Sequence, residues 1–248
     1  MQGLRSQFAG LPQAYASNLE ALAFGVDVID RLVGELRCGD FVVFHGSRLC
    51  HVFSELLCVR SLLPRIEGGL GSSVVFVDGG NLFDPYLISE NARLLGVDPE
   101  EALKRIWVSR AFTSYQLTAL LTEKLSEILE REGSRLVVVS DIAGLYCDPD
   151  VGMFEANVTF NMVTRFLWNL AKEKGFLLVS TSLSSRGKWK RRLEQYLLGR
   201  ADIALRADEG NPHVKLTLEK HPSKPAFSVD LFFEKSKVQS RLEDFVEA

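Results

Sequence analysis

Short apolar runs recur along the chain and alternate with longer stretches that have helical spacing. Apolar residues at helical spacing fill 114–131 and 154–174. Continuous apolar runs occupy residues 41–44, 74–77, 136–139 and 176–179. Strands that are apolar on both faces are typical of parallel sheets covered by helices on each side. The pattern therefore predicts an α/β fold through about residue 182.

Beyond residue 182 the pattern changes to short segments with little room between them. Three strand-like segments follow at 202–207, 213–220 and 226–235. They are joined by "DEGNP" and "HPSKP", which are rich in turn-forming residues and too short to hold a helix. We expect an antiparallel meander that extends the mostly parallel, helix-flanked sheet at one edge.

The composition favours one domain with short tails. Of the 248 residues, 46% are hydrophobic and 25% charged, and no linker rich in Pro, Gly or Ser divides the chain. The predicted core domain spans residues 21–236, between an N-terminal tail at 1–20 and a C-terminal tail at 237–248. The sequence "SRLEDFVEA" at 240–248 fits either a short helix or a frayed end.

Charge and cysteine content exclude several classes of protein. A net charge of −3 argues against a globally basic nucleic-acid coat, so any such contact must be concentrated in a local patch. The four cysteines form no C-x-x-C pair, which favours buried reduced thiols over disulfides or a metal site. The sequence has neither a signal peptide nor 18 consecutive apolar residues. We therefore expect a cytoplasmic protein without a membrane partner.

The first apolar run leads into a segment that resembles the start of a phosphate-binding loop. An intact loop reads G-x-x-x-x-G-K-[ST], in which the lysine and the hydroxyl serve the phosphates and Mg²⁺. Here Gly46 is followed by Ser47 and Arg48 and then by a helical pattern, and no G-K-S or G-K-T occurs in the sequence. Arg48 at a helix N-terminus could still meet an anion. We expect a structural turn rather than a triphosphate site.

Four longer stretches carry a resemblance to a known family. They are "FGVDVIDRLVGELRCGDFVVFHG" at 24–46, "VVFVDGGNLFDP" at 74–85, "SRAFTSYQL" at 109–117 and "LVVVSDIAGLY" at 136–146. Together they resemble the RecA-fold ATPase core of the RadA recombinases and their archaeal paralogues, over roughly residues 24–235. The resemblance implies a RecA-like fold of the P-loop NTPase type. The separate N-terminal helical domain of that family has no counterpart in these stretches.

The resemblance also implies which catalytic parts are missing. The family's catalytic glutamate falls on Gly80, and its Mg²⁺-supporting aspartate falls on Ser140, with Asp141 one position later. The predicted degenerate nucleotide site comprises Gly46, Ser47, Arg48, Gly80, Ser140 and Asp141. Because phosphoryl transfer depends on positioning and charge, we expect a pseudo-ATPase with no catalytic residue, metal or nucleotide cofactor. The alternative is a KaiC-like nucleotide-binding protein or weak ATPase in which Arg48 and Asp141 contact ATP and Mg²⁺.

A basic segment follows the last parallel strand. "SSRGKWKRR" at 184–192 holds five Lys or Arg within seven residues, at the position of a DNA-contacting loop in the resembled recombinases. Cations neutralise phosphates and an exposed indole stacks on bases. The predicted set for binding single-stranded DNA is Arg186, Lys188, Trp189, Lys190, Arg191 and Arg192. The alternative is that the cations form the solvated face of a helix with Trp189 packed beneath.

The resemblance implies a role and possible partners. We expect a non-catalytic paralogue that assists homologous recombination and DNA repair by binding DNA, a recombinase or another RecA-fold protein. A scaffold that contacts no nucleic acid is the further alternative. Homo-oligomerisation is left open, since the tail has Phe8 but Leu11 where the family's F-x-x-A pattern needs alanine.

Several other residues are interpreted as structural. His45 and His51 have no carboxylate or nucleophile at a telling spacing in the sequence, and Asp148 and Asp150 are typical of a turn before a helix. The aromatic residues on that helix are expected to pack against the sheet: Phe154, Phe160, Phe166 and Trp168.

Overall fold

A computed structural model describes residues 20–185, 187–210 and 213–232. The chain forms a large central sheet with helices on both faces, preceded by a small antiparallel pair, β1 (Ala21–Leu22) and β2 (Leu36–Arg37). The strands of the central sheet are β3 (Phe41–Gly46), β4 (Val74–Asp78), β5 (Ile106–Arg110), β6 (Leu136–Ser140), β7 (Leu177–Leu183), β8 (Ile203–Glu209), β9 (His213–Lys220) and β10 (Phe227–Phe232).

The sheet has eight strands in the order β10-β9-β8-β3-β7-β6-β4-β5. The six strands from β8 to β5 are parallel, whereas β9 pairs antiparallel with β8 and β10 antiparallel with β9. The predicted α/β fold with a C-terminal meander is confirmed. One detail differs from the prediction, because β8 pairs in parallel with β3 and only its other edge belongs to the meander.

Helices cover both faces of the sheet, which explains the continuous apolar strands. Alternate residues of β3 point to opposite sides, so that Phe44 joins one hydrophobic cluster and Val43 the other. The helices are α1 (Asp27–Val33), α2 (Leu49–Leu62), α3 (Pro85–Leu94), α4 (Pro99–Lys104), α5 (Ser114–Ala119), α6 (Leu125–Glu132), α7 (Met153–Lys174) and α8 (Lys188–Arg200). Helices α1 to α4 pack on the Phe44 side, and α5 to α8 on the Val43 side.

Two predicted helical stretches are present with local refinements. The stretch 114–131 is divided into α5 and α6 by a wide π-type turn at Leu120–Lys124. The stretch 154–174 corresponds to α7, which ends at Lys174 and is capped by Gly175 with φ +66°. The turn before α7 is present as predicted, since the Asp150 N–H donates to the Asp148 carboxylate at 2.9 Å.

One of the four predicted packing aromatics lies on the wrong face. Phe160 is fully buried, and Phe166 and Trp168 pack partly against the same cluster, but Phe154 is 83% exposed. Six residues separate Phe154 from Phe160, which is about 240° around a helix and places them on opposite sides. The expectation for Phe154 is therefore corrected.

The four cysteines are free thiols, but only two of them are fully buried as predicted. Cys50 and Cys58 are buried, whereas Cys38 and Cys147 are half-buried. Burial raises the pKa of all four, to about 11 for Cys147, so they are protonated at neutral pH. Within the described ranges, no helix combines the length and the apolar character that a membrane crossing requires. Residues 1–19, including Phe8 and Leu11, and residues 237–248 lie outside the described part of the chain.

Candidate functional site

The carboxyl ends of the parallel strands bring the predicted nucleotide-site residues to one edge of the sheet. Gly46 ends β3 opposite Leu183 of β7, and Asp78 ends β4 opposite Ser140 of β6. We call this region the strand-end site. It comprises residues 46–48, 78–80, 140–141 and 181–183 and the side chains of His51 and Lys190. All six residues of the predicted degenerate nucleotide site lie within it.

The connection between β3 and α2 is very short. The strand ends at Gly46 and the helix begins at Leu49, so only Ser47 and Arg48 lie between them. The Ser47 N–H donates to the Ala207 carbonyl at 2.7 Å, and the Gly46 carbonyl accepts from the Ser184 N–H at 2.8 Å. These bonds tie the turn to the neighbouring strands and occupy a backbone donor that could otherwise face an anion.

Gly46 is required by both its backbone conformation and its surroundings. It has φ +116°, which side-chain-bearing residues rarely adopt. A Cβ at this position would lie 2.3 Å from the Ala207 carbonyl oxygen. The turn therefore fits tightly against β8.

A side chain at Gly80 would press against two neighbouring side chains. A Cβ there would lie 2.4 Å from Leu82 Cδ1 and 3.0 Å from Asp141 Cβ. A residue with a Cβ at this position would require the Leu82 side chain to move and Asp141 to shift by a few tenths of an ångström.

Asp78 is a buried carboxylate at this edge that the sequence pattern did not single out. It accepts from Ser140 Oγ at 2.7 Å, from the Leu82 N–H at 2.9 Å and from Arg110 Nε at 3.1 Å. Burial by itself would raise its pKa, but the hydrogen bonds and the Arg110 charge hold the pKa of Asp78 below its ordinary value. Its position at the end of the run "VVFVD" is the signal that could have identified it.

Asp141 pairs with Lys190 of the basic segment. The Lys190 Nζ lies 2.8 Å and 3.0 Å from the two Asp141 carboxylate oxygens, and Asp141 Oδ1 also accepts from the Leu183 N–H at 3.0 Å. Both side chains are only 12% exposed. Because β6 ends at Ser140 and Asp141 has φ +39°, the alternation of a strand does not set the direction of its side chain. The structure thus joins one residue from each predicted site.

His51 of α2 lies beside this ion pair. Its Nδ1 is 3.2 Å from Thr181 Oγ1, which also accepts from the Asp141 N–H at 2.9 Å. Its Nε2 is buried and makes no hydrogen bond within the described residues. Burial lowers the pKa of His51 to about 4, so the ring is neutral at physiological pH. A neutral buried ring agrees with the structural role expected for it.

His45 meets carboxylates that are distant in the sequence. Its Nε2 is 2.9 Å from Glu219 Oε2 on β9, and its Nδ1 is 3.8 Å from Glu194 Oε1 on α8. The sequence spacing gave no sign of these partners because they come from later elements of the fold. No group of three or more His, Cys, Asp or Glu in the described ranges is arranged to hold a metal ion.

The predicted DNA-binding segment begins a helix, as the alternative interpretation expected. Lys188 is the first residue of α8, and Trp189 is half-buried with its Nε1 donating to the Tyr146 carbonyl at 3.3 Å. The expectation of an exposed indole for base stacking is therefore corrected, and Lys190 points into the strand-end site. Lys188, Arg191 and Arg192 remain exposed. Arg186 lies outside the described residues.

A comparison with models of known protein families shows which family the chain resembles. Residues 17–182, about two thirds of the 248 residues, match the family model described as Rad51. The matched range contains the ends of β3, β4 and β6 and the short connection before α2. It ends before α8 and the exposed cations at its start.

Proposed function

The chain belongs to the Rad51 family of RecA-fold recombinases, and from this membership and the strand-end site we propose that it is a non-catalytic member that assists DNA recombination and repair. In this role it binds DNA, a RecA-fold recombinase partner, or both. The family match supports a recombinase-related role. The absence of catalysis is inferred from the geometry of the site.

The two-residue connection between β3 and α2 carries this proposal. A triphosphate needs a loop of backbone N–H groups, a lysine for the β- and γ-phosphates and a hydroxyl for Mg²⁺. Ser47 and Arg48 are too few to supply that loop, and the Ser47 N–H is bonded to Ala207. Since phosphoryl transfer is catalysed almost entirely by positioning and charge stabilisation, losing these parts removes the activity.

Two further features of the strand-end site support the absence of catalysis. The lysine that reaches the strand-end site, Lys190, is neutralised by Asp141 at 2.8 Å. The position that the resemblance aligns with the catalytic glutamate is Gly80, which has no side chain to orient an attacking water. A nucleotide at this edge would have to break the ion pair without gaining a catalytic group.

Calorimetry with Mg²⁺ and ATP, combined with an ATPase assay, tests the absence of catalysis. We expect neither heat of binding at micromolar nucleotide nor turnover. Arg48 is exposed at the N-terminus of α2, an arrangement that favours the alternative of a nucleotide-gated switch. Micromolar affinity that is lost in Arg48→Ala would establish that alternative and reject the proposal.

Fluorescence anisotropy with single- and double-stranded oligonucleotides tests the DNA-binding part. Binding through Lys188, Arg191 and Arg192 should weaken with salt, with a log–log slope of about −0.7 per phosphate contacted on single strands. The triple alanine variant should lose most of the affinity. A matched variant that removes three exposed cations elsewhere, Arg93, Lys104 and Lys124, should keep it. Equal binding by both variants would exclude α8 as the DNA contact.

A further inference from the structure

Helix α7 is apolar on its outer face as well as on its buried face. Phe154, Val158 and Met162 follow each other at four-residue spacing and are 83%, 55% and 50% exposed. The opposite face, which includes Phe160 and Val163, packs into the core. A helix that covers a sheet normally exposes a polar face to water. A contiguous apolar stripe on the surface is typical of a binding site.

The stripe continues into a groove with cationic edges. Val158, Met162 and Phe166 line the groove of about 380 Å³ between α7 and the end of α8. Arg165 is exposed at its edge and has no ion-pair partner among the described residues. Arg200 on the α8 side donates to the Asn161 side chain. The surface therefore suits a segment that is apolar on one side and acidic on the other.

The chain itself contains a segment with this chemistry. Leu242, Phe245 and Val246 are spaced so that a helix would place them on one face, and Glu243, Asp244 and Glu247 stand between and after them. We propose that residues 242–247 bind intramolecularly in the groove between α7 and α8. The apolar residues meet Val158, Met162 and Phe166, and the carboxylates meet Arg165 and Arg200.

The connection between β10 and this segment is nine residues long. Strand β10 ends at Phe232, and positions 233 to 241 supply nine residues before Leu242. An extended chain of this length spans roughly 30 Å. This length exceeds the radius of gyration of roughly 18 Å that a domain of about 250 residues has.

The test uses the full chain and a fluorescent synthetic peptide of residues 237–248. The variant Leu242→Asp/Phe245→Asp should leave the groove open, and the peptide should bind it. A tethered segment has an effective concentration near the millimolar range, so if the peptide binds the open variant with a Kd of about 10 μM, the unmodified chain should bind it roughly 100-fold more weakly. A scrambled peptide of the same composition should not bind, and added salt should weaken the binding that remains.

Substitutions in the groove locate the contact. Adding Met162→Lys to the open variant should abolish peptide binding. Ile66→Lys, at another exposed apolar residue on the opposite side of the sheet, should leave it unchanged. Both positions are exposed, so both variants should fold, which a thermal melt verifies.

Four results would overturn the proposal. The first is that the peptide does not bind the open variant, and the second is that it binds the open variant and the unmodified chain equally. The third is that Met162→Lys and Ile66→Lys have equal effects on peptide binding. The fourth is that the unmodified chain forms a concentration-dependent dimer that Met162→Lys dissociates. The last result would mean that the segment is exchanged between two copies. None of these measurements depends on nucleotide or DNA binding, so the proposed function is tested separately.

Discussion

Asp141 has a backbone conformation that few aspartates adopt, and its surroundings explain why it is held there. Its φ of +39° turns the carboxylate toward the Leu183 N–H and the Lys190 ammonium. A Cβ on the nearby Gly144 would lie 2.5 Å from Asp141 Oδ2, so a side chain there would displace the carboxylate. The residues next to Asp141 therefore pack closely on its carboxylate. We infer that the ion pair with Lys190 has a structural role in the strand-end site.

Breaking this pair from one side should be costly. In Asp141→Asn, the nearly buried Lys190 loses its counter-charge, and we expect a loss of about 3–5 kcal/mol in the free energy of unfolding. The double variant Asp141→Asn/Lys190→Met should recover much of this loss because no unpaired charge is left. Urea denaturation of the single and double variants measures the coupling between the two residues. Additive effects would show that the ion pair does not matter to stability.

Glu55 on α2 is a second buried carboxyl, and it should make stability depend on pH. Its Oε1 accepts from the Asp84 N–H at 2.7 Å, whereas its Oε2 is buried without a hydrogen bond among the described residues. Burial raises the pKa of Glu55 to about 8. The folded protein therefore holds a proton that the unfolded chain releases near its ordinary pKa of about 4.5.

This difference in proton uptake determines whether stability rises or falls with pH. The stability that the protonated carboxyl supports is fully present below about pH 4.5 and is lost as the pH rises toward about 8. At roughly 1.4 kcal/mol per pKa unit, the loss amounts to several kcal/mol. In Glu55→Gln the unfolding free energy should change much less between about pH 5 and pH 8, as measured by denaturation at each pH. The exposed Glu90→Gln serves as the control and should behave like the unmodified chain.

At the scale of single elements, glycine is required in the turn from β3 into α2, whereas near the end of α8 it can be replaced by alanine. Gly46 combines φ +116° with a close backbone neighbour, whereas a Cβ on Gly199 in α8 would have no atom within 4 Å. Gly46→Ala should lower the free energy of unfolding by at least about 2 kcal/mol. Gly199→Ala should raise it by up to about 1 kcal/mol because alanine is the better helix former. Thermal and urea unfolding of the two variants compare these effects directly.

The strands differ in how clearly the sequence predicts them. β3, β4, β6 and β7 are buried on both faces, so each appears as a continuous apolar run. β5 was not predicted, because it is an edge strand in which Ile106 is buried but Trp107 and Val108 are exposed. Such a strand shows neither a continuous nor an alternating pattern.

Only part of the strand-end site could be predicted from the sequence. The resemblance assigned Gly46, Gly80 and Ser140 to one site, and they lie together because parallel strands bring their carboxyl ends to one edge of the sheet. The pairing of Asp141 with Lys190 could not be predicted, because it depends on a left-handed backbone residue and on the packing of α8 against the sheet. The half-burial of Trp189 likewise follows from tertiary packing.

At the scale of the whole molecule, the two faces of the sheet are covered unequally. Helices α1 to α4 pack over one face with few large apolar side chains left outside, whereas α7 on the other face keeps an apolar outer stripe. The exposed cations at the start of α8 lie on this same side. The exposed cations proposed to bind DNA and the groove proposed to bind residues 242–247 thus both lie on the α7 and α8 side of the molecule.

The central position of β3 sets a lower limit on the length of chain that can fold alone. β3 is bonded to β7 on one edge and to β8 on the other, and β8 comes after the range matched by the family model. A fragment of residues 20–183 would leave the β8-facing edge of an entirely buried strand open to other chains. We expect this fragment to aggregate, as light scattering would show, while residues 20–232 remain monodisperse. The strands from β8 to β10 are thus needed to cover the edge of β3. This conclusion would be refuted if the fragment of residues 20–183 were monodisperse and melted cooperatively.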